Sequence, residues 1–164
     1  MNYFLCFIAF LVLQSCAIFQ PKVFTGQALN EKLVTTSRDS ITLKEIFDKN
    51  KGEAQFIQVF ATYCPFSQRS FKDVIAFQAE NPLVNYIFLS VDHSYFDWKR
   101  GLENIKKKNK LKGAYYYIPK KGKGALANFL KLKTIPRFLI VDKKGKITLF
   151  KASSISKKVK DKTH

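Results

Sequence analysis

The sequence predicts an α/β domain with a parallel core and an antiparallel edge, and three observations carry that prediction. Residues 55–60 are an apolar run (Phe56, Ile57, Val59, Phe60) of the kind found in a strand buried on both faces. Strand-like and helix-like segments then alternate through residues 84–91, 96–105, 115–118 and 125–132, an order that calls for right-handed crossovers between parallel strands. Last, residues 138–141 and 147–150 flank the turn Asp142-Lys143-Lys144-Gly145-Lys146, which reads as a β-hairpin. The chain of 164 residues is long enough for one such domain with a real core.

From the amino terminus, residues 3–13 are uninterrupted and apolar, about half of what spans a bilayer, and fit the core of a secretory signal. The run closes on Leu13-Gln14-Ser15-Cys16, which resembles a bacterial lipobox with Cys16 as the lipidated residue. A plain signal peptide, or an uncleaved anchor reaching Phe19, fits the same run. The expected organisation is a lipoprotein-type signal over residues 1–15, a tether over 16–30, the folded domain over 31–151 and a basic tail over 152–164.

Within the domain, residues 32–36 form a weak strand and residues 37–40 a turn. Thr42 is placed to cap a short helix over residues 41–47, with Glu45 three positions later completing a capping box. Residues 50–53 break that helix before the central strand. Pro65 suits a first helical turn, where a missing N–H costs nothing, and Phe66, Val74 and Phe77 recur beyond it at helical spacing. Cys64 therefore sits at a helix amino terminus, where unpaired N–H groups and the positive end of the dipole favour a thiolate. Asn81-Pro82 stops this helix, and the next strand ends in Asp92-His93. Phe96, Trp98, Leu102 and Ile105 outline a further helix with a basic tail over residues 106–112. Pro119 closes strand 115–118, and Ala125, Phe129, Leu130 and Leu132 mark another helix before Thr134-Ile135-Pro136-Arg137 leads into the hairpin.

The composition has 29 basic and 12 acidic residues, a net charge of +17, which favours anionic partners. The lysines come in short bursts across several elements, a pattern of solvated surface charge more than of a nucleic-acid groove, so no nucleic acid is expected as a partner. Cys6 and Cys16 lie in the apolar leader, which leaves Cys64 alone in the body. That count excludes a cysteine metal site and argues against an intramolecular disulfide framework in the mature domain, and with only His93 and His164 no metal or cofactor is expected.

Four motifs in this order resemble the thioredoxin superfamily, specifically the TlpA/ResA-like exported redox proteins. They are Phe60-Ala61-Thr62-Tyr63-Cys64-Pro65, then Phe88-Leu89-Ser90-Val91-Asp92 followed by Trp98, then Thr134-Ile135-Pro136-Arg137, and finally Val141-Asp142-Lys143-Lys144-Gly145-Lys146. The resemblance covers about residues 30–151 and implies a three-layer α/β/α sandwich with a central mixed sheet. It also implies that Cys64 is the nucleophile and that Pro136 forms a cis bond opposite it, with Tyr63, Pro65, Phe66 and Ile135 lining the substrate. The sequence departs from the family at Ser67, where a second cysteine is usual; Ser67 can donate a hydrogen bond toward the Cys64 sulfur but cannot act as a sulfur nucleophile.

The expected function is monothiol exchange with protein disulfides, protein thiols or small thiols through mixed disulfides at Cys64. The alternative is a redox-inactive thioredoxin-fold lipoprotein that holds peptides beside Pro136. A peroxidase is disfavoured, since Ala61 stands where such sites place a threonine or serine. A buried, inert Cys64 is the plain structural reading, and His93 is either a partner for Cys64 or a surface turn residue. The leader implies a bacterial envelope protein facing the periplasm and anchored through lipid; Ala17 after Cys16 implies the outer membrane.

Overall fold

The structure, a computed structural model, describes residues 20–156 and Val159. The described chain opens with α1 (Gly26–Leu29), β1 (Lys32–Val34), β2 (Ser40–Thr42) and α2 (Leu43–Lys49). It continues through β3 (Gln55–Phe60), α3 (Pro65–Glu80), β4 (Asn85–Ser90) and α4 (Tyr95–Lys108). After β5 (Ala114–Tyr117) come the one-turn segment α5 (Pro119–Gly122), α6 (Ala125–Phe129) and the strands β6 (Arg137–Val141) and β7 (Ile147–Ala152).

The seven strands make one mixed sheet in the order β2-β1-β5-β4-β3-β6-β7. β3, β4 and β5 are parallel, and β6 runs antiparallel to β3 with Val59 opposite Arg137. Phe60 pairs with Ser90 and Ser90 with Tyr117, so the carboxyl ends of three parallel strands and the start of β6 lie at one end of the sheet.

Alternation along β3 divides the core by chemistry. Ile57 and Val59 join Ile87, Leu89, Leu139 and Val141 on the face covered by α1, α2 and α6, an aliphatic layer. Phe56 and Phe60 join Phe88, Phe138 and Tyr86 under α3 and α4. There Phe56 packs at ring separations of 5.2, 5.4 and 5.6 Å on Phe77, Tyr86 and Phe138. Each fully buried side chain of this size contributes about 1.5–3 kcal/mol. The result is the expected three-layer α/β/α sandwich with its carboxyl-terminal hairpin.

Local chemistry sets the element ends. Thr42 Oγ1 accepts the Glu45 N–H at 3.1 Å while the Glu45 carboxylate accepts the Thr42 N–H at 2.7 Å, the reciprocal cap read from the sequence. In the hairpin turn Gly145 has φ 78°, a conformation only glycine adopts without strain, and Asp142 Oδ1 accepts the N–H groups of Lys144 and Lys146.

Four expectations are corrected. Residues 24–29, read as tether, belong to the folded unit: Phe24 and Ala28 are buried, and the Phe24 ring packs on Phe47 and Phe129 at 5.2 and 4.9 Å. Residues 40–42, read as turn and helix start, form a strand, because β1 supplies an antiparallel partner that the local pattern does not reveal. Val159, in the basic tail, is fully buried in the aromatic layer. Phe66 and Phe96 share helical spacing with core residues yet are exposed.

Candidate active site

The turn from β3 to α3 builds the site. Chain direction reverses over Ala61 to Cys64, closed by a Cys64 N–H to Ala61 O bond at 3.2 Å, and the first helical bond runs from the Gln68 N–H to Cys64 O at 3.0 Å. Cys64 is the extended N-cap residue and Pro65 the first helical residue, as the pattern predicted. The thiol is free and half-buried. Tyr63 and Phe66 are 53% and 65% exposed, and Pro65 is exposed too, so the residues flanking Cys64 in the chain form an exposed apolar rim at the turn. The Arg69 guanidinium lies 4.5 Å over the Phe66 ring, supporting that rim.

Two residues before the cysteine, Thr62 is clamped on every side. Its N–H donates to both oxygens of Asp92 at 3.0 and 3.2 Å, and its hydroxyl donates to Asp92 Oδ1 at 2.6 Å. Its carbonyl accepts from Gln68 Nε2 at 2.6 Å. Its side chain faces Gly101 of α4, where an added Cβ would fall 2.2 Å from Thr62 Oγ1. Asp92 is fully buried and also accepts the Ser90 hydroxyl, so the carboxylate ties the ends of β3 and β4 together beneath the cysteine turn. The Tyr63 phenol titrates above the usual tyrosine value, through partial burial first and then the negative charges of Asp92 and Cys64.

Opposite this turn, the Ile135–Pro136 peptide bond is cis, with Pro136 buried and Ile135 half-buried. Pro136 lies one register step beyond the Val59–Arg137 pair, level with Phe60. Arg137 is buried, and burial lowers its pKa. Its guanidinium donates to Leu130 O at 3.3 Å, which holds the loop before Pro136 to the strand that follows.

Ser67 faces inward from the first turn of α3 and is fully buried. Its hydroxyl has no hydrogen-bond partner and so makes no bond to the Cys64 sulfur. Nearby, Ser70 Oγ donates to Ser67 O at 2.7 Å and accepts from Gln58 Nε2 at 3.0 Å, a short polar chain inside the helix–sheet interface. His93 is exposed and stacks on Tyr63 at 4.8 Å, a surface turn residue that widens the aromatic rim.

Tyr63, Cys64, Pro65, Phe66 and Ser67 thus share one turn, and Ile135 and Pro136 lead into the neighbouring strand β6 at the same end of the sheet. Cys16 lies outside the described residues, and among those described no helix is long and apolar enough to cross a membrane. Reasoning from sequence missed the Thr62–Asp92–Gly101 clamp. Its available signal was Asp92 closing an apolar strand, where a buried carboxylate needs several donors.

The thioredoxin-like family matches residues 52–147. No curated protein matches the chain in sequence. Among solved structures, the thioredoxin domain of a thiol-disulfide oxidoreductase from Bacteroides vulgatus superposes with TM-score 0.63 at 15% identity, covering 86% of this chain and 92% of that one. A secreted Mycobacterium tuberculosis disulfide oxidoreductase, homologous to Escherichia coli DsbE, gives 0.61 at 13% identity over 85% and 98%. StoA from Bacillus subtilis gives 0.58 at 20% identity over 84% and 99%. At these identities the likeness is one of fold.

Proposed function

The chain belongs to the thioredoxin-like family, and on that premise we propose that it is an exported, TlpA/ResA-like lipoprotein that carries out thiol-disulfide exchange with Cys64 as its single sulfur nucleophile. The observation that carries the reading is the placement of a free, half-buried cysteine as N-cap of α3, inside an exposed aromatic rim and at the same end of the sheet as Pro136.

The chemistry closes without an external oxidant. The Cys64 thiolate attacks one sulfur of a substrate disulfide, a Cys64–substrate disulfide forms, and the second substrate sulfur leaves as a thiolate that takes a proton from solvent. A thiolate from the substrate itself or from a small thiol then attacks the mixed disulfide, forms a new disulfide and returns Cys64 as thiolate. Two-electron balance is kept in both steps, and the net result is exchange or isomerisation. Ser67 stands at the position of the family's second cysteine, so resolution depends on a sulfur from outside the domain. Tyr63, Pro65, Phe66 and Ile135 bind the substrate chain, Pro136 positions it, and Cys16 carries the lipid that holds the protein at the periplasmic side of the outer membrane.

Ser67→Cys tests this reading directly. It places a thiol in the first turn of α3, three positions from Cys64, and should shorten the lifetime of mixed disulfides and raise reductase activity when reductant is supplied. Native protein should form longer-lived adducts, released by a further thiol of the substrate or by added thiol, and Cys64→Ser should form none. A folded native protein that forms no adducts, with no exchange activity gained by Ser67→Cys, would assign the groove to peptide binding without redox turnover. Mass spectrometry of the mature amino terminus tests the anchor: a chain that begins elsewhere than at a lipidated Cys16 removes it.

A further inference from the structure

Five exposed lysines, Lys120, Lys121, Lys123, Lys131 and Lys133, fall between β5 and β6, and the fold brings this segment to the end of the sheet that carries Cys64. It departs where Tyr117 pairs with Ser90 and the Ile118 N–H donates to Ser90 O at 2.8 Å, level with Phe60. It returns at Pro136, also level with Phe60. In between, the backbone presses on the residue before Asp92, since a Cβ on Gly122 would lie 2.6 Å from Val91 Cγ1.

Lys123, Lys131 and Lys133 line a cleft of about 650 Å³ together with Gly122, Asn128 and Leu132. Lys120, Lys121 and Lys131 have φ of 57°, 57° and 47°. That region costs a residue other than glycine on the order of 1 kcal/mol, and such cost at several neighbouring positions points to use. The ion pairs among the described residues, Lys44–Asp48 and Arg100–Asp97, engage none of the five lysines. Glu31, beside Gly124 at the edge of the cleft, accepts the Leu126 N–H at 2.5 Å, and Asp92 is buried in its clamp; those two ion pairs include neither carboxylate.

We propose that this cleft is the docking site for an acidic polypeptide segment next to the disulfide or thiol that reacts at Cys64, so that the substrate class is proteins with Asp- or Glu-rich flanks. Lys133 lies three residues before Pro136 in the sequence, so the cleft's last lining residue precedes the loop that enters the site. The cleft is shallow and open to solvent, so an extended peptide segment can lie along it without entering the fold. Lys123, Lys131 and Lys133 line the same cleft outside the ion pairs Lys44–Asp48 and Arg100–Asp97, and a carboxylate-bearing chain supplies the counter-charge. The inference rests on the exchange reading for its chemistry but not for its binding.

The test compares full-length protein with two charge-matched triple variants. Lys123→Glu/Lys131→Glu/Lys133→Glu alters the cleft, and Lys143→Glu/Lys144→Glu/Lys146→Glu alters the hairpin turn at the opposite end of the sheet. Affinity for a cysteine-free, glutamate-rich fluorescent peptide is read by anisotropy, and the rate of Cys64 adduct formation by mass spectrometry, using disulfide peptides with acidic, neutral or lysine flanks. Native protein should react about tenfold faster with the acidic than with the neutral peptide at low salt, and nearly equally at 0.5 M salt. The cleft variant should lose that preference and the peptide affinity, while the hairpin variant keeps both. Lys123→Gln and Lys133→Gln, neither at positive φ, should each weaken peptide binding about threefold and serve if the triple variant does not fold.

Equal loss in the two triple variants would overturn the proposal, because overall charge would then explain the binding. So would unaltered peptide affinity in the cleft variants alongside weakened binding to phosphatidylglycerol vesicles, which would assign the lysines to a membrane. Cleft-dependent peptide binding without any Cys64 adduct would support the docking site and refute the exchange reading. Adducts with neutral peptides but no cleft-dependent affinity would do the reverse.

Discussion

Replacing Asp92 with alanine should remove a large part of the stability of the domain, because the carboxylate is fully buried and satisfies three donors at once: the Thr62 N–H, the Thr62 hydroxyl and the Ser90 hydroxyl. A buried donor left without a partner costs about 1–3 kcal/mol. The Thr62 N–H cannot turn away and bears the full cost, whereas both hydroxyls can rotate and bear part of it. Relief of the buried charge offsets some of the loss, so the net expectation is about 3–5 kcal/mol. A domain of this size is stable by about 5–15 kcal/mol. With a urea slope of about 2 kcal/mol/M, the unfolding midpoint should fall by roughly 2 M. Asp92→Asn keeps an oxygen for the Thr62 N–H and supplies an amide to a rotated hydroxyl, so it should lose about half as much. Urea unfolding of the full chain, followed by far-ultraviolet circular dichroism, measures both. A loss below about 1 kcal/mol for Asp92→Ala would refute the clamp, since it would mean that water or a shifted loop replaces the carboxylate at little cost.

Gly101→Ala should destabilise even though alanine is the better helix former by about 1 kcal/mol, because its Cβ would fall 2.2 Å from Thr62 Oγ1 and 2.4 Å from Thr62 Cβ. A thermal midpoint at or above that of the native protein would contradict the close approach of α4. Tyr86 and Tyr115 are pushed up to about 12 by burial, each with its hydroxyl donating to a backbone carbonyl. Their contribution is fully present below the unfolded value of about 10 and is lost as pH rises through the folded value, since the unfolded chain releases protons that the folded chain retains. Stability should therefore drop between about pH 10 and 12 by roughly 1 kcal/mol per unit for each tyrosine. Denaturation at several alkaline pH values measures this, and a Tyr86→Phe/Tyr115→Phe protein with the same slope would exclude these two phenols as its source. Thr42→Ala removes the reciprocal cap of α2 and should cost about 1 kcal/mol in the same urea assay; no change would show that the helix is held by its packing alone.

The sequence by itself determined whatever depends on neighbours along the chain. Buried β3, Cys64 and Pro65 at the start of α3, the Thr42–Glu45 cap and the hairpin around Gly145 follow from side-chain period, fixed φ and short-range hydrogen bonding, and all were readable. The resemblance to the thioredoxin superfamily supplied the wider order and pointed to Pro136. Tertiary structure decided what depends on partners distant in sequence. β2 is a strand only because β1 lies beside it, and Phe24 is core only because α2 and α6 supply Phe47 and Phe129. Asp92 and Thr62 are thirty positions apart, so no local pattern joins them. Phe66 and Val74 look alike in sequence, yet one is exposed and one buried, because the sheet covers only one side of α3. Lys123, Lys131 and Lys133, separated in the sequence, line one cleft in a segment whose two ends β5 and β6 carry to the same end of the sheet.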